Sequence, residues 1–409
     1  MTNQEHIISI ESLVSGGKGL GRLPDGKAIF VPFVLPDERV RIRVQFEKKG
    51  YALGELLEVL DENPKRIKPK CMHYQQCGGC HLQHIAYADQ AQFKREILIE
   101  QLQRIGGLEH IPAIEMIEAD AQWQYRNAVQ FHATTEGKLA FMDAAHARPF
   151  PVQECWLPMD AIASHWPQIS LDEAIDVKRL EIRQNHAGEI LLIFESNAAE
   201  IPEMEVTLPL SAIHLNEEDE VVLSGDPYLL QKVGPHTFQV SARSFFQTNF
   251  QGAHALVNTV MEMASPSHGT LLDLYCGVGL FSRFLAEQFT NIVAVELARS
   301  ACDDFLINLA EFEHISLYQG AVEHVLPDLD VQADCVIVDP PRKGLDRFAL
   351  DAISDMRTPA VIYVSCDPST LARDIKRFYI AGYTLSRSVL VDMFPQTHHI
   401  ESVNYLVLD

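Results

Sequence analysis

No apolar run in the 409 residues reaches the roughly 18 needed to cross a bilayer. The opening MTNQEHIISI lacks the apolar core of a secretory signal. These absences predict a cytoplasmic protein without membrane contact. Positive charge is also scarce: 33 Lys and Arg against 56 Asp and Glu leave a net charge of −23. That balance excludes a general cationic grip on nucleic acid, so any such contact has to be local. The deficit is uneven. Residues 1–70 hold 12 Lys and Arg against 10 Asp and Glu, net +2, while neither Lys nor Arg occurs between Arg183 and Lys232. Ten carboxylates accumulate there from Glu189 to Asp226, Glu200, Glu203, Glu205 and Glu218 among them, which predicts a water-facing stretch. With eight cysteines and no secretion signal, metal binding, catalysis or packing is expected in place of a disulfide scaffold.

What is present is a folded chain: 47% hydrophobic and 22% charged residues supply a core, and the length suggests two to four units. IISIESL, KAIFVPFVL, RVRIRVQFEKKG and YALGELLEVL read as short strands around the turn-rich SGGKGLGRLPDG, predicting a small β-barrel. Lys18, Arg22, Lys27, Lys48 and Lys49 make its rim locally basic, either for nucleic acid or to protect a strand edge. A helix is expected near 85–107, where Phe93, Ile97, Leu98, Leu102 and Ile105 recur at helical spacing before Gly106. AVQFHAT, EILLIF and SAIHL predict a mainly antiparallel middle unit. From about residue 241, apolar strands alternate with helices and a hairpin closes the chain. That pattern predicts a doubly wound α/β sheet with its ligand site at the carboxyl ends of the strands. The expected units are 1–63, 64–240 and 241–409.

Three groups of residues point to chemistry. In LDLYCGVGLF, Gly277 and Gly279 let the backbone approach a ligand, and Glu296, nineteen residues beyond Gly277, ends the next strand where it can meet a ribose. Ser282 lies where a dinucleotide fingerprint wants its third glycine, so S-adenosylmethionine fits better than NAD. Asp339 in VDPPRKG ends another strand, as a ligand contact or a plain terminator. Cys366 in YVSCDPSTLARD precedes a helix whose N-terminus favours a thiolate, although Asp367 opposes one. It is a candidate nucleophile, whereas Cys335 reads as packing. Glu401 in MFPQTHHIESV, with His398 and His399, converges on the same rim. A thiolate adding to C6 of a pyrimidine makes C5 nucleophilic, and a carboxylate then removes the C5 proton; that logic alone does not separate uracil from cytosine. Finally, Cys71, Cys77 and Cys80 stand in a C-x5-C-x2-C pattern with Cys155 as fourth donor, suiting structural zinc or, given the five-residue gap, an iron–sulfur cluster. His73, His81 and His84 are alternative ligands that read as surface residues.

SGGKGLGR, CMHYQQCGGC, SFFQTN, DLYCGVGLF, DPPRKG, YVSCDPSTLARD and MFPQTHHIE together resemble the RNA uracil-C5 methyltransferase family almost end to end, most like its 23S ribosomal RNA branch. The resemblance implies a TRAM-like barrel, a central unit bearing a [4Fe–4S] cluster on Cys71, Cys77, Cys80 and Cys155, and a class I S-adenosylmethionine-dependent methyltransferase domain. It implies Cys366 as nucleophile, Glu401 as base, and cofactor contacts from Gln247, Tyr275, Gly277, Gly279, Glu296 and Asp339. Phe281 occupies a position often polar in the family. A monomer acting on a single-stranded or loop uridine is expected, the helix near 85–107 packing on the catalytic unit. Phe245 or Phe246 is placed to stack on a base or to fill the core, and Arg126 to meet phosphate or to brace the cysteine unit. The alternatives are a transfer-RNA uracil methyltransferase and an RNA-binding protein that no longer turns over.

Overall fold

The computed structural model describes residues 4–134, 136–145, 147–169, 171, 177–196, 210–217, 219–264 and 268–409. Glu200, Glu203, Glu205 and Glu218 of the acidic stretch lie outside them, whereas Glu189, Glu217, Asp219, Glu220 and Asp226 are exposed.

β1 (Glu5–Val14), β2 (Lys18–Arg22), β3 (Ala28–Pro32), β4 (Arg39–Glu47) and β5 (Tyr51–Asp61) close into a barrel in the order β1-β2-β3-β5-β4. Alternate side chains turn inward, so Ile8, Ile10, Ile29, Val31, Val40, Ile42 and Val44 form its core. The stretch read as a turn contains β2. A Cβ at Gly19 would fall 2.3 Å from Val34 and 2.7 Å from Ile10, so this inward position admits only hydrogen. Outward, Arg39, Arg41 and Arg43 pair with Asp61, Glu58, Glu5 and Glu55.

An irregular stretch carrying three of the cysteines leads to α1 (Tyr87–Arg104) and β6 (Ile114–Ile117). β7 (Ala128–Ala133), β8 (Leu139–Met142), β9 (Pro149–Pro151), β10 (Val177–Gln184), β11 (Ile190–Ser196), β12 (Ser211–Leu215) and β13 (Glu220–Ser224), with α2 (Asp160–His165) between β9 and β10, make the middle layer. Among the described residues its order is β13-β12-β11-β10-β7-β8-β9, antiparallel except for β11 beside β12. Phe131 anchors its core, stacked 4.8 Å from Phe141 and 5.4 Å from Trp166.

A hairpin of β14 (Tyr228–Val233) and β15 (His236–Ser241) enters the last layer. There β16 (Thr270–Leu274), β17 (Asn291–Glu296), β18 (Ile315–Gln319), β19 (Cys335–Val338), β20 (Ala360–Ser365), β21 (Tyr383–Val391) and β22 (Glu401–Leu408) alternate with α3 (Phe250–Ala264), α4 (Leu280–Leu285), α5 (Arg299–Asn308), α6 (Val322–Val325), α7 (Arg347–Asp355) and α8 (Pro368–Ile380). The order β18-β17-β16-β19-β20-β22-β21-β6 reverses between β16 and β19, where such sheets open a ligand crevice. β6 extends the edge parallel to β21, and α1 lays the fully buried Leu98 and Leu102 against Leu371, Ala372 and Ile375 of the same core. A segment well before the doubly wound pattern is thus part of its sheet. Among the described residues no helix is long and apolar enough to cross a membrane.

Candidate active site

At the switch point, Tyr275, Gly277 and Gly279 all adopt left-handed backbone, with φ of 62°, 56° and 91°. A Cβ at Gly279 would lie 2.3 Å from Leu309, so helix packing demands glycine there; one at Gly277 would meet nothing within 4 Å, leaving a free face over the turn. Glu296 closes the cradle: its carboxylate accepts from Gly277 N at 3.0 Å and Ala298 N at 2.7 Å. Ser282, in place of a third glycine, donates at 2.6 Å to Asp273, a fully buried carboxyl that burial pushes up to about 7. Phe281 is 4% exposed and packs in the core. Gln247 lies three residues before α3. Its carbonyl accepts from Asn127 Nδ2 at 3.1 Å, and among the described residues no hydrogen bond joins its side chain to the glycine loop.

β20 and β22 run antiparallel with Ser365 opposite Ser402, which sets Cys366 beside Glu401 in register. Cys366 is partly exposed, while Cys276, Cys302 and Cys335 are buried. Burial, then the charges of Glu401 and Asp339, push the Cys366 thiol up to about 12. Burial and Asp339 likewise push Glu401 up to about 8, and burial with Asp273 pushes Asp339 up to about 7. The helix N-terminus expected to favour a thiolate is taken up by Asp367, which accepts from Ser369 N and Thr370 N, both at 2.9 Å. Arg342 supplies the opposing charge, lowering both Cys366 and Glu401, and its Nη2 lies 3.4 Å from His399 Nδ1. It was legible in DPPRKG as a cation beside the loop prolines, but spacing gave it no target. Thiol, two carboxyls and one guanidinium thus meet beside the glycine cradle.

The family described as tRNA (Uracil-5-)-methyltransferase matches residues 229–320 and 324–408, and the TRAM domain matches residues 1–57. An uncharacterized RNA methyltransferase of Halalkalibacterium halodurans is 32% identical over 98% of this chain and 96% of its own, and one from Aquifex aeolicus is 32% identical over 98% and 97%. The chain belongs to the RNA uracil-5-methyltransferase family. The fold agrees: the Pyrococcus abyssi tRNA (uracil-54, C5)-methyltransferase, solved with S-adenosyl-L-homocysteine, superposes with a TM-score of 0.76 at 24% identity over 99% of this chain and 100% of that one. The barrel is therefore a TRAM domain and the last layer an S-adenosylmethionine-dependent methyltransferase fold.

In this family member Cys71, Cys77, Cys80 and Cys155 line one cavity of about 680 Å³ between the middle sheet and the SFFQTN segment. Among the described residues, no three His, Cys, Asp or Glu side chains are arranged to hold a single metal ion. Burial raises all four thiols, Cys80 and Cys155 up to about 12. Arg126 lies beside Cys80 and Cys155 and lowers both, yet its buried Nε has no hydrogen-bond partner. A buried guanidinium Nε without a partner beside four cysteine sulfurs fits an anionic group assembled on those sulfurs. Arg126 also covers the Phe394 ring, 5.8 Å from its centroid, bracing the cysteine region against the catalytic loop. His73 and His84 are not the surface residues expected: His73 Nε2 accepts from Gln153 N at 3.0 Å, and His84 bonds Tyr74 and Val34 O. Of the two phenylalanines, Phe246 packs on the core and Phe245 is 72% exposed.

Proposed function

We propose that the protein methylates C5 of a loop or single-stranded uridine in 23S ribosomal RNA. The observation that carries the uracil-C5 chemistry is the convergence of Cys366, Glu401 and Asp339, at the ends of β20, β22 and β19, beside the glycine cradle. Gln247, Tyr275, Gly277, Gly279, Glu296 and Asp339 would hold S-adenosylmethionine, which supplies the methyl group. Cys366 Sγ adds to C6 and sends electron density to C5; after methylation, Glu401 takes the C5 proton and the C6–S bond breaks. Glu401 has to be ionised for that step, and Arg342 is the side chain that favours its charge. The partly exposed Cys366 can meet an extruded base, and unpaired RNA lowers the extrusion cost to about a few kcal/mol or less. The TRAM barrel and the middle sheet would hold the RNA for the catalytic layer, to which α1 and β6 also belong.

The four cysteines would hold a [4Fe–4S] cluster. The four cysteines line one cavity, and Arg126 beside Cys80 and Cys155 would offset the negative charge of a cluster held there. Anaerobic purification should give iron, sulfide and broad visible absorbance, all reduced in Cys155→Ser; a colourless zinc protein contradicts this.

A transfer-RNA substrate is the second reading, favoured by the name of the P. abyssi relative. Mass mapping of 5-methyluridine in ribosomal and transfer RNA from cells with and without the protein separates the two. Loss of one 23S site, restored by wild type but not by Cys366→Ala, is expected. Loss confined to transfer RNA refutes the ribosomal assignment, and no change in either refutes the activity.

A further inference from the structure

Glu401 reaches the thiol at the end of the loop formed by residues 392–400, and that loop is fastened from outside its own two strands. Gln396 is the knot. It is 3% exposed and holds a left-handed backbone, φ 69°, that glutamine rarely adopts unless its surroundings impose it. Its carbonyl accepts from His81 N at 2.9 Å and Leu82 N at 3.0 Å, the two residues that follow Cys80. Its own N–H donates to Gln90 Oε1 at 2.9 Å, and Gln90 Nε2 donates back to its side-chain oxygen at 3.0 Å. The neighbouring carbonyls are held in the same way: Pro395 O by Tyr125 and Phe394 O by Lys94, each at 2.9 Å. The cysteine segment, α1 and the segment before β7 therefore all end on the loop that leads into β22 and its first residue, Glu401.

The other reacting groups do not hang from this loop. Cys366 is fixed by β20, flanked by β19 and β22, and by the Asp367 cap of α8; the cofactor cradle is fixed by β16 and β17. We propose that Gln396 is a positioning residue for proton abstraction: the sheet sets the register of Glu401, which pairs with Val391, and Gln396 fastens the loop entering β22 so that the carboxylate is finely placed against the C5 hydrogen, while thiol addition and methyl transfer depend on the sheet alone. The inference rests on the methyltransferase reading above. In the step concerned, Glu401 takes the proton from C5, the C5–H electrons form the C5–C6 double bond, and the C6–S electrons return to Cys366 as thiolate. A base displaced by a fraction of an ångström to about 1 Å loses on the order of 10- to 100-fold. The methylated covalent adduct then accumulates on ordinary uridine RNA.

The test uses the full-length protein, methyl-labelled S-adenosylmethionine and RNA from cells lacking the protein. A denaturing quench separates protein-bound from released label. Gln396→Gly keeps the left-handed backbone, the His81 and Leu82 bonds and the N–H bond to Gln90 Oε1, and deletes only the bond from Gln90 Nε2; Gln90→Leu deletes both bonds to Gln396 from the α1 side, together with the Gln90 bond to Ile85 O. In both, adduct formation should stay within about 2-fold of wild type while release slows about 10-fold or more. Equal slowing of both steps, no slowing, or loss of S-adenosylhomocysteine binding in both variants would overturn the inference, because Gln396 would then serve the fold or nothing. If wild type forms no adduct even with 5-fluorouracil RNA, the methyltransferase reading itself fails, and the inference with it. A normal wild-type adduct with unaltered release in the variants removes only the role of Gln396.

Discussion

Replacing Lys94 with methionine tests how firmly α1 is tied to the catalytic layer. The Lys94 and Asp392 side chains are 1% and 0% exposed and lie 2.7 Å apart, and Lys94 Nζ also donates to Phe394 O. Burial pulls the ammonium below its ordinary range while Asp392 opposes that pull. Asp392 Oδ2 has no hydrogen bond of good geometry, so removing the lysine leaves a buried carboxylate without its counter-charge. Breaking a buried pair from one side costs about 3–5 kcal/mol, a large share of the roughly 5–15 kcal/mol that holds a typical domain. Lys94→Met with Asp392→Leu removes the stranded charge as well, and should recover most of that loss although two polar groups are gone. Urea titration followed by circular dichroism reads both. A single variant that loses under about 1 kcal/mol, or a double variant no better than the single, would refute the reasoning.

Two further perturbations have signed outcomes. Glu401 has its folded value raised to about 8 from the usual 4.5, so the stability tied to its protonated form is complete below 4.5 and is lost as pH rises through 8. Glu401→Gln never ionises, so without cofactor its advantage over wild type should grow from pH 5 to pH 8 and then level off in urea midpoints; a gap independent of pH contradicts the raised value. On the barrel, Arg41 is committed to Glu58, whereas Lys48 sits 5.6 Å from the ring centroids of Tyr51 and the 48%-exposed Phe46. Lys48→Gln should lower the salt slope of RNA binding by about 0.7 and Arg41→Gln by less than half that, measured by fluorescence anisotropy; the reverse order would contradict the pairing argument.

Much of this was legible because the signals are local. The strand, glycine turn, helix and glutamate around Gly277 follow one another in the chain, and hydrogen bonding from Gly277 N to Glu296 confirms their proximity. β2 was hidden because its inward residues Gly19 and Gly21 carry no apolar side chain, so strand alternation leaves no hydrophobic trace. β6 was hidden for another reason: four residues pairing with β21 more than 270 positions away have no sequence neighbour to announce them. The site shows the same division. Motifs at strand ends named Cys366, Asp339 and Glu401, but the charge Arg342 presents to them and the fastening of Gln396 arise only from contacts between distant segments.

The most direct measurement is the mass of the protein after incubation with S-adenosylmethionine and 5-fluorouracil-substituted RNA. Fluorine at C5 cannot leave as a proton, so the covalent species should persist. After nuclease and trypsin digestion, the peptide containing Cys366 should carry a methylated fluoropyrimidine nucleotide, and Cys366→Ala should carry none. An adduct on another cysteine, or methylated RNA with an unmodified Cys366, would contradict the account.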